Sequence, residues 1–157
     1  MDNQILYILT GRPFAGKSTL RKELVKRFGF SVASVDWEID NRGLHVAEMT
    51  QDDWNLVYSE AYDKLKKLLK EGKTVVLDLA NLKRQERDTA REIAKSLGVT
   101  YKLIYVNTTF EEAEKRWNNN KNIAGARKMD EGVFKRGQSM FEEPTDDENP
   151  IIYNSSI

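Results

Sequence analysis

Eight residues near the start of the chain, Gly11-Arg-Pro-Phe-Ala-Gly16-Lys17-Ser18, set two glycines around four variable positions and follow the second with a lysine and a hydroxyl. They come directly after an apolar run, Gln4 to Thr10, and open a segment carrying Leu20, Leu24, Val25 and Phe28 at helical spacing. A strand, a tight loop and a helix in that order belong to a sheet whose strands are joined by helical crossovers. Glycine lets such a loop curl until successive N–H groups converge, and the helix behind it adds partial positive charge, which suits phosphate oxygens. Gly11, Arg12, Pro13, Phe14, Ala15, Gly16, Lys17, Ser18 and Thr19 are therefore the expected contacts to a nucleoside triphosphate such as ATP. Lys17 would reach its β and γ phosphates and Ser18 would coordinate Mg²⁺ through its hydroxyl.

The rest of the chain agrees with that unit. Phe30 to Val35, Thr74 to Leu79, Tyr101 to Val106 and Ile151 to Tyr153 read as further strands, and their near-continuous hydrophobicity suits burial on both faces. Between them Trp54, Val57, Tyr58, Ala61, Leu65, Leu68 and Leu69 recur at helical spacing, behind the capping pair Thr50 and Asp53 and ahead of Gly72. Ala90, Ile93, Ala94 and Leu97 mark a second helix before Gly98, and Phe110, Ala113 and Trp117 a third behind Thr108 and Glu111. Asn118 to Ala126, with three consecutive Asn, reads as a mobile loop between two helices. Alternating strands and helices predict an α/β three-layer sandwich with a parallel sheet of five strands, one domain over residues 1–157.

Composition narrows the chemistry. The 157 residues include no cysteine and a single histidine, His45, which removes disulfides, Cys-ligated zinc, iron–sulfur clusters, thiol nucleophiles and most His-rich metal sites. Carboxylates, hydroxyls, Lys and Arg are left to do the work. The longest apolar run, Ile5 to Leu9, is far short of a membrane span, and Gly11 and Arg12 stand where a secretory leader would continue, so a cytoplasmic location is expected.

Three features sort the phosphate-binding classes. No Asn-Lys-x-Asp element exists to hold guanine, since Asn120-Lys121 continues Asn122-Ile123, which disfavours a GTPase. Asp78 ends the third strand, at the sheet edge where ligands of open α/β folds bind, and would hold Mg²⁺ directly or through water, touch an acceptor, or serve as a turn carboxylate. Asp36 follows the second strand on the same edge as the loop. A carboxylate there can accept a hydroxyl proton and aim the oxygen at the γ-phosphate, with Glu38 and Asp40 as nearby competitors. From Lys115 to Arg136 the chain carries seven basic residues against two acids. A lid at about residues 116–128 would expel water and bring Arg116 or Arg127 onto the transferring phosphoryl group; an exposed basic helix face is the alternative.

Taken together, these residues resemble the small P-loop kinases that include the polynucleotide kinase domain, the zeta toxins and the chloramphenicol phosphotransferases. The resemblance spans most of the chain: Gly11 to Thr19, Asp36, the stretch Val75-Val76-Leu77-Asp78-Leu-Ala-Asn81-Leu, Arg84 and Arg87 at a helix start, Arg116, and Phe141-Glu-Glu-Pro144. The spacing of Asp78 and Asn81 is similar to an element of the polynucleotide kinase branch. The resemblance implies strand order 2-3-1-4-5, Asp36 as general base, Lys17 and Ser18 on ATP and Mg²⁺, and a lid arginine on the phosphates. Many members hold the acceptor with an Arg three residues after the base; here that position is Ile39, with Arg42 three residues further on.

The segment facing the acceptor, Asp36 to Asp53, has six acids against Arg42 and His45, so a polyanion would be repelled. A kinase acting on a hydroxyl of a neutral or cationic small molecule is the leading expectation, with no membrane partner. A polynucleotide 5′-hydroxyl kinase, a nucleoside or nucleotide kinase, and an acceptor-free ATPase or regulator are the alternatives. Trp37, Trp54 and Tyr58 could stack on a base or sugar; for Trp54 and Tyr58 the helical period favours the core, for Trp37 both readings stand, and His45 is expected as a polar surface or acceptor-loop residue.

Overall fold

The computed structural model describes residues 3–79, 82–125 and 128–155. Five strands, β1 (Ile5–Thr10), β2 (Ser31–Ser34), β3 (Val75–Asp78), β4 (Thr100–Asn107) and β5 (Ile151–Asn154), form one sheet in the order β2-β3-β1-β4-β5. All four pairings are parallel, as the alternation of strands and helices predicts, and the strand order is the one the resemblance implies. Among the described residues six α-helices accompany them: α1 (Lys17–Phe28), α2 (Val35–Asn41), α3 (Gln51–Lys70), α4 (Arg84–Ser96), α5 (Phe110–Asn120) and α6 (Glu131–Met140). Among the described residues no helix is long and apolar enough to cross a membrane.

Side-chain alternation along the strands sorts the core into two faces. Leu6, Ile8, Val75 and Leu77 point toward Val57, Ala61, Leu65 and Leu69 of α3 and Ala90 and Ala94 of α4. Tyr7, Leu9 and Val76 point the other way, against Leu20 and Leu24 of α1. By the same parity Asp78 lies on the α1 side. The capping box before α3 is present, with Thr50 Oγ1 accepting from Asp53 N and Asp53 Oδ2 from Thr50 N.

Three local expectations change. A helix, α2, begins directly after β2, where the sequence suggested only a strand end, because Ser34 caps it and Asp36 and Glu38 fill its first turn favourably for the helix dipole. Thr109, not Thr108, caps α5 by accepting from Glu112 N. All three asparagines of 118–120 belong to α5, whose end is fixed by the buried Trp117 stacking on Phe134 at 4.7 Å, with Lys128 Nζ donating to Asn120 O at 2.5 Å.

Candidate active site

The loop between β1 and α1 is shaped by what surrounds it. A Cβ on Gly11 would meet the Val106 carbonyl oxygen at 2.6 Å, so only glycine lets the loop leave β1 this close to β4. Gly16 takes a positive φ of 106° to start α1. That helix has no side-chain cap and no acid in its first turn, whereas Ser34, Thr50, Thr109 and Asp130 cap α2, α3, α5 and α6. The uncapped first turn, carrying exposed Ser18 and Thr19, leaves N–H groups and dipole for an anion. Lys17 folds back across the curl, its Nζ donating to Gly11 O at 2.7 Å. Burial pulls its pKa below the usual 10.5, while Asp78, Asp36 and Glu86 oppose the shift. Those three carboxylates therefore lie within electrostatic reach of the lysine.

The outer side of the loop is held by residues from α5 and α6. Arg116, midway along α5, donates from Nη1 to Phe14 O at 3.2 Å, Ala15 O at 3.1 Å and Ser155 Oγ at 3.2 Å. Gln138 of α6 donates from Nε2 to Pro13 O at 3.0 Å and accepts from Arg12 Nη1 at 3.2 Å. Gly137 packs against Pro13 so closely that a Cβ would lie 2.6 Å from its Cγ. Arg12 lies over the Phe141 ring at 5.2 Å, and its Nε is buried without a hydrogen-bond partner. An orphaned guanidinium nitrogen inside a phosphate-binding loop fits a ligand rich in acceptor oxygens.

Ser34 of β2 lies in register with Asp78 of β3, which puts the start of α2 beside the end of the central strands. Asp36 is exposed in the first turn of α2. A cleft of about 590 Å³ runs between Phe14, Asp36, Asp40, the loop Gly43 to Ala47 including His45, and Lys128, Met129, Asp130 and Val133. Ile39 is buried, and Arg42 binds Glu38 Oε2 at 2.7 Å, so neither offers an arginine to this cleft. Asp78 is almost fully buried and accepts from Arg21 Nη1 at 2.9 Å. Tyr58 Oη lies 2.9 Å from Leu79 O and 3.1 Å from Glu86 Oε2, its one proton shared between the two acceptors, and burial raises the pKa of both the Tyr58 and Glu86 side chains.

The structure thus brings Lys17, Asp36 and Asp78 to one end of the sheet. It places Arg116 against the loop's carbonyls, not out on a mobile arm. Arg127 and Asn81 lie outside the described residues. Sequence reasoning missed Arg21, Glu86 and Gln138: each is polar, and nothing in helical periodicity marks a polar residue as turned inward. Trp54 and Tyr58 pack against the core as expected, and Trp37 stays 40% exposed with Lys64 Nζ 5.0 Å from its ring centre.

A family described as an AAA domain, AAA_33, matches residues 6–144. The chain belongs to the AAA_33 family. Among solved structures, Kti12 from Chaetomium thermophilum in complex with ADP-AlF3 is similar at 16% identity, covering 96% of this chain and 89% of that one with a TM-score of 0.75. A gluconokinase from Sinorhizobium meliloti is similar at 15% identity, covering 100% and 86% with a TM-score of 0.67. A chain of the Pnkp1/Rnl/Hen1 RNA repair complex is similar at 15% identity, covering 89% and 44% with a TM-score of 0.74. No curated protein shows significant similarity to the chain. This AAA_33 domain therefore has the fold of the small P-loop kinases, the group its motifs resemble.

Proposed function

We propose that this protein is a cytoplasmic ATP-dependent phosphotransferase that moves the γ-phosphate to a hydroxyl of a small molecule. The observation that carries the reading is the shared cleft: Phe14 of the phosphate-binding loop and Asp36 of α2 line the same cavity, and Asp36 acts electrostatically on Lys17. The uncapped α1 and the orphaned Arg12 Nε support a triphosphate at the loop. Lys17 would contact the β and γ phosphates once freed from Gly11 O.

Mg²⁺ would be held by Ser18 and Asp78 and would neutralise developing charge on the phosphates. Among the described residues no group of three metal-binding side chains occurs, which fits an ion that takes most of its ligands from phosphate and water. Arg21 holds one oxygen of Asp78 and thereby fixes the carboxylate's orientation. In the transfer, the acceptor hydroxyl gives its proton to Asp36 as its oxygen bonds to the γ phosphorus, and ADP leaves with the electrons of the broken bond. Arg116, by holding Phe14 O and Ala15 O, keeps the loop in its curl, and Arg127 is proposed as the lid arginine that reaches the phosphoryl group.

The neighbour in an RNA repair complex raises a polynucleotide 5′-hydroxyl reading. Against it, Asp36, Asp40 and Asp130 face a single described cation, Lys128, across the cleft. The test is a transfer assay with γ-labelled ATP against hydroxylated metabolites, nucleosides, antibiotics and 5′-hydroxyl oligonucleotides. Label is expected in a small acceptor and to disappear with Asp36→Asn. Rapid ATP hydrolysis indifferent to every acceptor would favour an ATPase instead.

A further inference from the structure

Phe14 has a backbone φ of 65°, the left-handed region that glycine takes freely and a bulky residue takes at a cost. Its ring must be kept there by its contacts. It meets the Phe134 ring edge-on at 5.9 Å, and Phe134 is itself stacked on Trp117, so the Phe14 side chain is braced from α5 and α6. Its carbonyl is tied to Arg116. From that braced position Phe14 lines the same cleft as Asp36, together with the apolar Leu44, Val46, Met129 and Val133. We propose that Phe14 is a specificity-determining residue that selects an acceptor whose alcohol is carried on an apolar body.

The inference rests on the phosphotransferase reading of this site and deepens it. A polyol seated here could pair some of its hydroxyls with Asp40, His45, Lys128 and Asp130, but any set against Phe14, Met129 or Val133 would go unpartnered, and each unpartnered hydroxyl costs binding. An aryl or alkyl alcohol would bury its body on that wall and still direct its hydroxyl to Asp36. A 5′ nucleic-acid end would bring phosphates toward Asp40 and Asp130. The volume of about 590 Å³ suits a compact molecule of this kind.

The experiment uses the full chain with Mg²⁺ and γ-labelled ATP, and compares kcat/KM for benzyl alcohol and cyclohexylmethanol with that for glycerol and a 5′-hydroxyl trinucleotide. Taking the ratio between acceptors cancels any effect of a variant on the ATP side. The parent is expected to favour the apolar alcohols by about 10-fold or more. Phe14→Gly, which accepts the backbone conformation, should bring the ratio toward one, and Phe14→Leu should restore most of it. Val133→Ser, which leaves the loop untouched, should lower the ratio in the same direction. An unchanged ratio in both Phe14→Gly and Val133→Ser, or transfer only to glycerol or the trinucleotide, overturns the role of Phe14 and leaves the kinase reading standing. Transfer to no alcohol at all removes both.

Discussion

The guanidinium of Arg116 donates to two loop carbonyls and Ser155 and pairs with Glu112 Oε1 at 3.1 Å, which suits it to brace the loop between β1 and α1. Hydrogen bonds from a charged group contribute about 1.5–3 kcal/mol in total effect, so Arg116→Ala should weaken ATP binding about 10-fold and lower the melting temperature by several degrees. Arg116→Lys should rescue little, because an ammonium cannot bridge two carbonyls and a hydroxyl with fixed geometry. Calorimetry with a non-hydrolysable ATP analogue checks this. If kcat collapses while nucleotide affinity stays intact, Arg116 reaches the transferring phosphoryl group instead. Lys17→Ala should abolish measurable nucleotide binding in the same assay, since no other described residue places an ammonium across the curl.

Between elements, the tie that joins α4 to the segment before β5 is a buried ion cluster. Arg87, fully buried, donates to Glu148 Oε1 at 2.8 Å and Oε2 at 3.0 Å, and Arg91 also binds Glu148. Burial alone would raise the Glu148 carboxyl, but the hydrogen bonds from both arginines outweigh it and hold its pKa down to about 2, below the usual 4.5. A depressed folded-state pKa means the cluster's stabilisation is complete above pH 4.5 and is lost as pH falls toward 2. Thermal melts should therefore lose stability across that window. Glu148→Gln should cost about 3–5 kcal/mol at neutral pH, by leaving Arg87 without its counter-charge, and should flatten the acid slope. An acid slope unchanged in Glu148→Gln would assign the loss to other carboxylates.

The elements also differ in how far the chain announced them. The helix α3 was readable because its capping box and apolar stripe coincide, and Thr50→Ala should cost it about 1 kcal/mol, read as a small drop in melting temperature. The helix α2 was hidden because its apolar residues, Val35 and Ile39, continue the hydrophobicity of β2. The Asn run looked like a loop because asparagine has weak helix propensity, and the Trp117–Phe134 stack that overrides it joins residues far apart in sequence. Asp36 and Lys17 could be read from position after a strand. The Arg21–Asp78 pair could not, since burial of an arginine on α1 depends on the sheet's face parity.

At the scale of the whole molecule, parallel strands in the order β2-β3-β1-β4-β5 send the chain to either side of β1, and the loop after β1 sits where that order switches. Lys17, Asp36 and Asp78 follow three adjacent strands, so topology alone gathers donor, base and metal candidates at one edge. The cleft beside Asp36 was not readable in advance, because it is assembled from the 43–47 loop, Phe14 and the segment before α6. Transfer of phosphate to an alcohol through Asp36 is read by following the γ-phosphate of labelled ATP in the parent and in Asp36→Asn, with nucleotide affinity measured beside it. Label should pass to an alcohol in the parent and fall by about 10²-fold or more in the variant at nearly unchanged affinity; equal transfer in both proteins would contradict the account.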